Sequence, residues 1–312
     1  MTDASSVLVL DRVTKRFAGH TAVDDLSLSV PAGAIYGLLG PNGAGKTTTI
    51  RMIMDILQPD AGAVRLFGVL GGGRRQTERI GYLPEERGLY RKMRVIDVLV
   101  FLGEMKGMER RQAARRAGDW LTRLGLDDWR LRRIDELSKG MQQKVQFIST
   151  VLHDPDLVIL DEPFSGLDPV NTQVMKDVVL DLHGRGKTLL FSTHIMEQAE
   201  KLCEHVCIIA HGRKLVDGSL SDIKRTRGGH HLVIGFDGNP GTASQVLADK
   251  TLVNKVDNYG QYAEIELALG ADPQRVLVGL VGAGARLSRF ELQEPSLHKI
   301  FIDLVGPEAA HA

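Results

Sequence analysis

Gly40-Pro41-Asn42-Gly43-Ala44-Gly45-Lys46-Thr47 fits the spacing G-x-x-x-x-G-K-[ST]. Glycines so placed let main-chain N–H groups wrap a phosphate, while Lys46 offers an ammonium to the outer phosphates. The Thr47 hydroxyl suits a Mg2+ position, and Thr48 enters a helix whose positive end favours an anion. A glycine-rich turn would explain the same letters, but an apolar run before the motif and a helical one after it favour a phosphate cradle. A second pattern, Leu157-Val158-Ile159-Leu160-Asp161-Glu162, is an apolar strand ending in two carboxylates. At the C-terminal edge of a parallel sheet, Asp161 would hold Mg2+ through water and Glu162 would act as general base toward an attacking water. An Asp-Glu pair alone is an ordinary strand end; behind a phosphate cradle it reads as nucleotide chemistry.

Further segments narrow the reading. Leu137-Ser138-Lys139-Gly140-Met141-Gln142-Gln143 resembles an LSGGQ signature, Ser165-Gly166-Leu167-Asp168 follows the carboxylate pair, and His194 follows Leu190-Phe191-Ser192-Thr193. Taken singly, these are an N-cap serine, a turn aspartate and a surface histidine. In this order they resemble the motifs of the nucleotide-binding subunits of ABC transporters, over about residues 7 to 220. The resemblance implies ATP as ligand, Mg2+ as its ion, and hydrolysis as the reaction, with Lys46, Glu162 and His194 catalytic. It implies that Gly40 to Thr48 bind the phosphates and that Phe17 stacks on adenine. Ser138 and Gly140 would act on ATP held by another subunit, Asp168 would communicate across that interface, and Thr47, Asp161 and Glu85 would serve the metal. Two departures stand out. Glu85 follows Tyr82-Leu83-Pro84 where the family has Gln, and Lys139 and Met141 replace Gly and Gln in the signature. A carboxylate at 85 adds repulsion near a triphosphate unless a cation screens it.

The elements that must position these residues are legible from periodicity. Strands are expected at Val7 to Leu10, Leu26 to Val30, Ala34 to Leu39, Val64 to Phe67 and Ile80 to Leu83, with a helix from the Gly45-Lys46 step to about Leu57. Helical spacing from about 88 to 137 marks an insert, and strands resume at 157–160, 188–191 and 206–209. Alternating strands and helices give an α/β class with a parallel sheet flanked by helices. The resemblance adds an antiparallel β subdomain and makes the whole a P-loop NTPase core of ABC type. This domain is expected over residues 1–223, followed by a basic, glycine-containing linker at 224–230. A small α+β extension at 231–306 reads as βαββαβ, ferredoxin-like, with one added helix, and a loose tail closes the chain at 307–312.

Composition sets the limits. Lysine plus arginine equals aspartate plus glutamate at 39 each, so overall charge gives no reason to expect nucleic acid. Cys203 and Cys207 make neither a disulfide framework nor a zinc spacing, and read as buried thiols. No leader and no membrane-length apolar run is read, which predicts peripheral attachment at the cytoplasmic face of the cell membrane. Residues 87–133 carry 13 Lys/Arg against 6 Asp/Glu, suiting either a solvated surface or a lobe facing anionic headgroups or an acidic partner helix. The resemblance implies a homodimer, or a heterodimer with another cassette, driving separate transmembrane permease subunits. The C-terminal unit, ending Glu294-Pro295-Ser296-Leu297, looks like the extension of sodium, drug or lipid exporter ATPases and implies export. The alternatives are an ABC ATPase acting on ribosomes or DNA, and a module that holds ATP without turnover. A single cassette with a short insert argues against the first, and the presence of Lys46 and Glu162 against the second.

Overall fold

The computed structural model describes residues 6–86, 88–227, 231–237, 243–268, 270–293 and 295–305. They separate into two compact units, the chain passing from one to the other between Gly218 and Ser219.

In the first unit, β1 (Ser6–Phe17), β2 (His20–Pro31), β3 (Ile35–Leu39) and α1 (Lys46–Ile53) are followed by β4 (Ala61–Leu66), β5 (Val69–Leu70) and β6 (Ile80–Leu83). The insert then contributes α2 (Val95–Met105) and α3 (Arg110–Arg123), and α4 (Lys139–Val151) returns the chain to the sheet. β7 (Leu157–Asp161), α5 (Pro169–Gly184), β8 (Thr188–Thr193), α6 (Met196–Leu202), β9 (His205–Ala210) and β10 (Arg213–Ser219) complete it.

Every residue of β3, β7 and β8 is buried, as expected of central strands covered on both faces. The sheet runs β10-β9-β3-β8-β7-β6, and the five strands β9, β3, β8, β7 and β6 are parallel to one another. β10, absent from the sequence reading, joins β9 through His211 and Gly212, both at positive φ, the geometry of a tight hairpin. Because β3, β8 and β7 are adjacent, the segments leaving them emerge side by side at one sheet edge. Those segments carry the glycine-rich loop, His194 and the Asp161-Glu162 pair.

β1, β2, β4 and β5 form an antiparallel sheet, and β1 and β2 run longer than the sequence pattern suggested because bulges let them continue past their polar stretches. Leu8, Leu10, Leu26 and Leu28 of this sheet share one core with Leu38, Ile50, Met52 and Ile159. α1 stops at Ile53, short of the expected Leu57. Asp55 turns left-handed at φ 60°, and the N–H groups of Ile56 and Leu57 both return to the Arg51 carbonyl. In the insert, Ala113, Ala117 and Leu121 form the narrow buried stripe of an otherwise arginine-rich α3. A Cβ on Gly103 of α2 would lie 3.0 Å from that of Ala113, so small residues set this close crossing.

In the second unit, α7 (Leu220–Arg227) precedes β11 (His231–Phe236), α8 (Ser244–Ala248), β12 (Val253–Asn258), β13 (Tyr262–Leu267), α9 (Pro273–Gly282), β14 (Leu287–Gln293) and α10 (Leu297–Val305). The sheet order β12-β13-β11-β14, antiparallel throughout, is what a βαββαβ chain produces. Leu232, Ile234, Ile265, Val276 and Leu280 are its core. One expectation needs correcting: residues 224–227, read as the start of a linker, are the last turn of α7. The basic residues there sit on a helix whose Asp222 pairs with Arg225, rather than on a free connector. Residues 228–230 and the tail 307–312 lie outside the described residues.

Candidate active site

The glycine-rich loop leaves β3 at Gly40, at φ 156°, where a Cβ would sit 2.2 Å from the Ile209 carbonyl oxygen of the neighbouring strand. Gly45, at φ 104°, lies equally tight against the Ala22 carbonyl oxygen, 2.4 Å from a Cβ. Both positions need glycine for space as well as conformation. The turn between them brings Lys46 back over its own loop. Lys46 exposes 6% of its surface, and its ammonium donates to the carbonyl oxygens of Gly40 at 2.8 Å and Pro41 at 3.1 Å. Glu162 Oε1 lies 3.6 Å away. Burial lowers the Lys46 pKa, and Glu162, then Asp161 and Glu85, pull it back up.

Glu162 is the first residue past β7 and adopts φ 48°, a strained conformation for a side chain of this size. Its N–H reaches both the carbonyl and the hydroxyl of Ser192 at 3.2 Å, and its Oε1 meets His194 Nδ1 at 2.9 Å. One buried carboxylate thus lies between an ammonium and an imidazole. Asp161 is fully buried, and the Ser192 hydroxyl donates to its Oδ1 at 2.5 Å. Its Oδ2 has no hydrogen-bond partner. Burial raises the Asp161 pKa against the pull of the Ser192 and Thr47 hydroxyls. An orphaned carboxylate oxygen near a threonine hydroxyl fits a hard divalent cation. No group of three or more His, Cys, Asp or Glu side chains suited to a metal occurs among the described residues, so the remaining ligands of such an ion would be phosphate oxygens and water.

Asn42 to Thr48, Glu85, Glu162 and His194 line a cleft of about 520 Å³, while Gly40, Pro41, Asp161 and Ser192 lie outside its lining. A volume of this size suits a nucleotide. Phe17 does not line it. Its ring is 42% exposed and stacks on His20, which does line the cleft, with centroids 6.0 Å apart. Ser138, Gly140 and Asp168 also lie outside it. Ser138 caps α4 by accepting from Met141 N at 3.3 Å, and Asp168 caps α5 by accepting from Asn171 N at 2.9 Å. A Cβ on Gly140 would meet only Asn171 and Leu167, at an ordinary 3.7 Å, so nothing in its own chain requires glycine there.

The sequence reading missed His20, Ala22, Ser165 and Ser192. Ser192 had a signal: a hydroxyl inside the apolar run of β8, in register with Asp161. His20 had none, because only the pairing of β1 with β2 brings that turn to the loop. A larger cavity of about 950 Å³ lies at the opposite edge of the sheet, near Arg79, Arg185 and Lys187. Those three cations are paired with Asp156 and Asp154 at 2.7 to 3.3 Å.

A family model described as ABC transporter matches residues 23–165, and one described as the C-terminal domain of DrrA1-3-like ATP-binding proteins matches 218–305. An ABC transporter ATP-binding protein of Bacillus subtilis, YhaQ, is 45% identical over 96% of this chain and 99% of its own. The chain belongs to the ABC transporter ATP-binding proteins. It is the ATP-binding subunit of an ABC transporter, and an ATPase. A Nod factor export ATP-binding protein I from a Rhizobium species is 35% identical over 95% of this chain and 96% of its own. A solved ATP-binding subunit of an ABC transporter superposes with a TM-score of 0.65 at 30% identity, over 70% of this chain and 92% of that one. No helix among the described residues is long and apolar enough to cross a membrane.

Proposed function

We propose that this ATPase works as a pair of cassettes, two copies or one copy with a homologous cassette, closing over two Mg·ATP to drive export through separate membrane subunits. The observation that carries the paired reading is the separation of the signature from its own cleft. Ser138 is exposed at the N-terminus of α4 and lines no part of the cleft that Lys46 and Glu162 share. A hydroxyl and a helix N-terminus suited to an anion would then serve nucleotide held by the facing cassette.

Within each site, the loop from Gly40 to Thr48 grips the phosphates, and Lys46 gives up its bonds to the loop carbonyls for phosphate oxygens. Thr47 and Asp161, with Glu85 at the rim, would hold Mg2+, whose charge would screen these carboxylates from the phosphates. Glu162 takes the proton of the attacking water, and His194 holds Glu162 and the outer phosphate in line. Phe17, extended by His20, is the platform for adenine. Asp168, at the start of α5 near the signature, signals across the pair.

Export is supported by the DrrA1-3-like C-terminal match and by the export proteins among the relatives. Attachment at the cytoplasmic face is supported by the insert, where Tyr90, Phe101, Met105 and Leu131 are exposed amid a basic surface. Tyr90 and Phe101 pack edge to face at 5.6 Å, giving an apolar ledge for a membrane subunit.

Sedimentation of the Glu162→Gln protein tests the pairing. With saturating Mg·ATP it should run as a dimer, and adding Ser138→Arg should return it to a monomer. A monomer with nucleotide bound would refute the paired reading. Export is tested with membrane vesicles: accumulation of cargo in inside-out but not right-side-out vesicles supports it, and the reverse refutes it.

A further inference from the structure

Three polar side chains of α4 are almost inaccessible: Gln143, Gln146 and Thr150 expose 4%, 5% and 3% of their surface. Steps of three and four residues set them in one stripe, between the apolar Val145, Phe147, Ile148 and Val151. Burying a carboxamide costs free energy unless its groups are bonded, so a stripe of this kind needs a physical reason.

The two glutamines give their donors to main-chain carbonyls outside the helix, and the threonine hydroxyl lies near one. Gln146 Nε2 donates to the Glu86 carbonyl at 3.1 Å and reaches the Pro84 carbonyl at 3.5 Å, so its contacts bracket Glu85. Gln143 Nε2 reaches the Pro163 carbonyl, one residue past Glu162, at 3.4 Å. The Thr150 hydroxyl donates to the Gln146 carbonyl of its own helix at 3.0 Å and also lies 3.3 Å from the Tyr82 carbonyl, inside β6.

The contact at 84–86 matters most because that segment has little else to hold it. β6 ends at Leu83, proline has no N–H to offer, and among the described residues no hydrogen bond from another backbone group fixes residues 84–86. The side chain of Glu86 makes an exposed ion pair with Arg51, at 3.7 Å. Among the described residues the Gln146 carboxamide is held by its donor end alone, since its Oε1 has no partner there.

We propose that Gln146 is a positioning residue for ATP hydrolysis, a clamp that fixes the Glu85 loop to the helix starting at the signature. A shift of α4 when the signature engages nucleotide is thereby passed to the Glu85 carboxylate, while Gln143 ties the same helix to the loop after Glu162. The clamp rests on the assignment of Glu85 to the magnesium–nucleotide site.

Gln146→Met keeps the length of the side chain and removes the donor. Thr150→Val removes the neighbouring contact to β6 and serves as the structural control. For the full chain, kcat, KM for ATP, the Mg2+ concentration giving half-maximal activity, and Tm are measured in both variants, in Glu85→Ala, and in the Gln146→Met/Glu85→Ala double variant. Loss of one buried donor lowers kcat in Gln146→Met by roughly five- to tenfold, with KM within about twofold and a shifted Mg2+ requirement. Thr150→Val lowers Tm but keeps parental kcat, and Gln146→Met has no further effect once Glu85 is alanine.

Parental kcat in Gln146→Met, or kcat falling alike in Gln146→Met and Thr150→Val, overturns the clamp. So does a full additional loss in the double variant. A loss in Glu85→Ala with none in Gln146→Met overturns the clamp alone; parental kcat in Glu85→Ala removes the assignment of Glu85 and the clamp with it.

Discussion

Replacing Asp161 with Asn sets the stability of the fold against its activity. Asp161 is fully buried, one of its oxygens has no partner, and its pKa is raised by burial. A carboxyl whose folded pKa lies above its unfolded value binds its proton more tightly when folded. Its contribution to stability is therefore fully present below the unfolded pKa and declines as pH rises toward and past the folded one. At neutral pH, without nucleotide or Mg2+, the charged side chain is a burden, and asparagine relieves it. Replacing a buried charge that is only partly compensated with a neutral carboxamide of the same shape is worth about 1 kcal/mol, or roughly 2–4 °C in Tm for a domain of this size. Scanning calorimetry on parent and Asp161→Asn should show the variant melting higher at neutral pH. The gap should shrink in acid, where the parent carboxyl is protonated as well. Added Mg·ATP should reverse the order, because binding stabilises the parent by mass action and the variant has lost an ion ligand. A variant that melts below the parent at neutral pH without ligands, or that gains as much from Mg·ATP, would refute the account of Asp161.

Lys46→Ala removes the buried ammonium and its charge-assisted bonds. The Kd for Mg·ATP should rise by about two orders of magnitude in isothermal calorimetry, and unchanged affinity would dismiss the phosphate cradle. Glu85→Gln removes one negative charge from the cleft, so KM for ATP should fall while the Mg2+ needed for half-maximal activity rises. Stimulation by the membrane partner should change too, and no change in any of these would deny Glu85 a special role. Gly40→Ala drives a Cβ to 2.2 Å from the Ile209 carbonyl oxygen, and should abolish nucleotide binding or folded yield. Gly43→Ala meets nothing within 4 Å but keeps φ 78°, so it should cost only about 1 kcal/mol of strain, read as a small drop in Tm.

The chemistry of the cleft was legible in the sequence because it is carried by contiguous stretches. The loop from Gly40 to Thr48 and the Asp161-Glu162 step each hold several functional groups in a row, and local geometry does the rest. Strand identity was legible for the same reason: β3, β7 and β8 are each built around a short run of apolar residues, such as Leu157 to Leu160 and Leu189 to Phe191. The C-terminal strand order also followed from the sequence of elements, since βαββαβ chains have few ways to close a sheet. Tertiary structure alone decided which distant residues join the contiguous ones. His20 reaches the cleft only through β-pairing, Ser192 secures Asp161 only because β7 and β8 are in register, and the Gln146 donors find residues 84 and 86 only when α4 packs on β6. It also decided that the 224–227 segment is helical and that Phe17 stands at the rim with His20 between it and the cleft. The physical reason is range: propensity and motif spacing act over a few residues, whereas burial and hydrogen-bond satisfaction are settled between residues far apart in the chain.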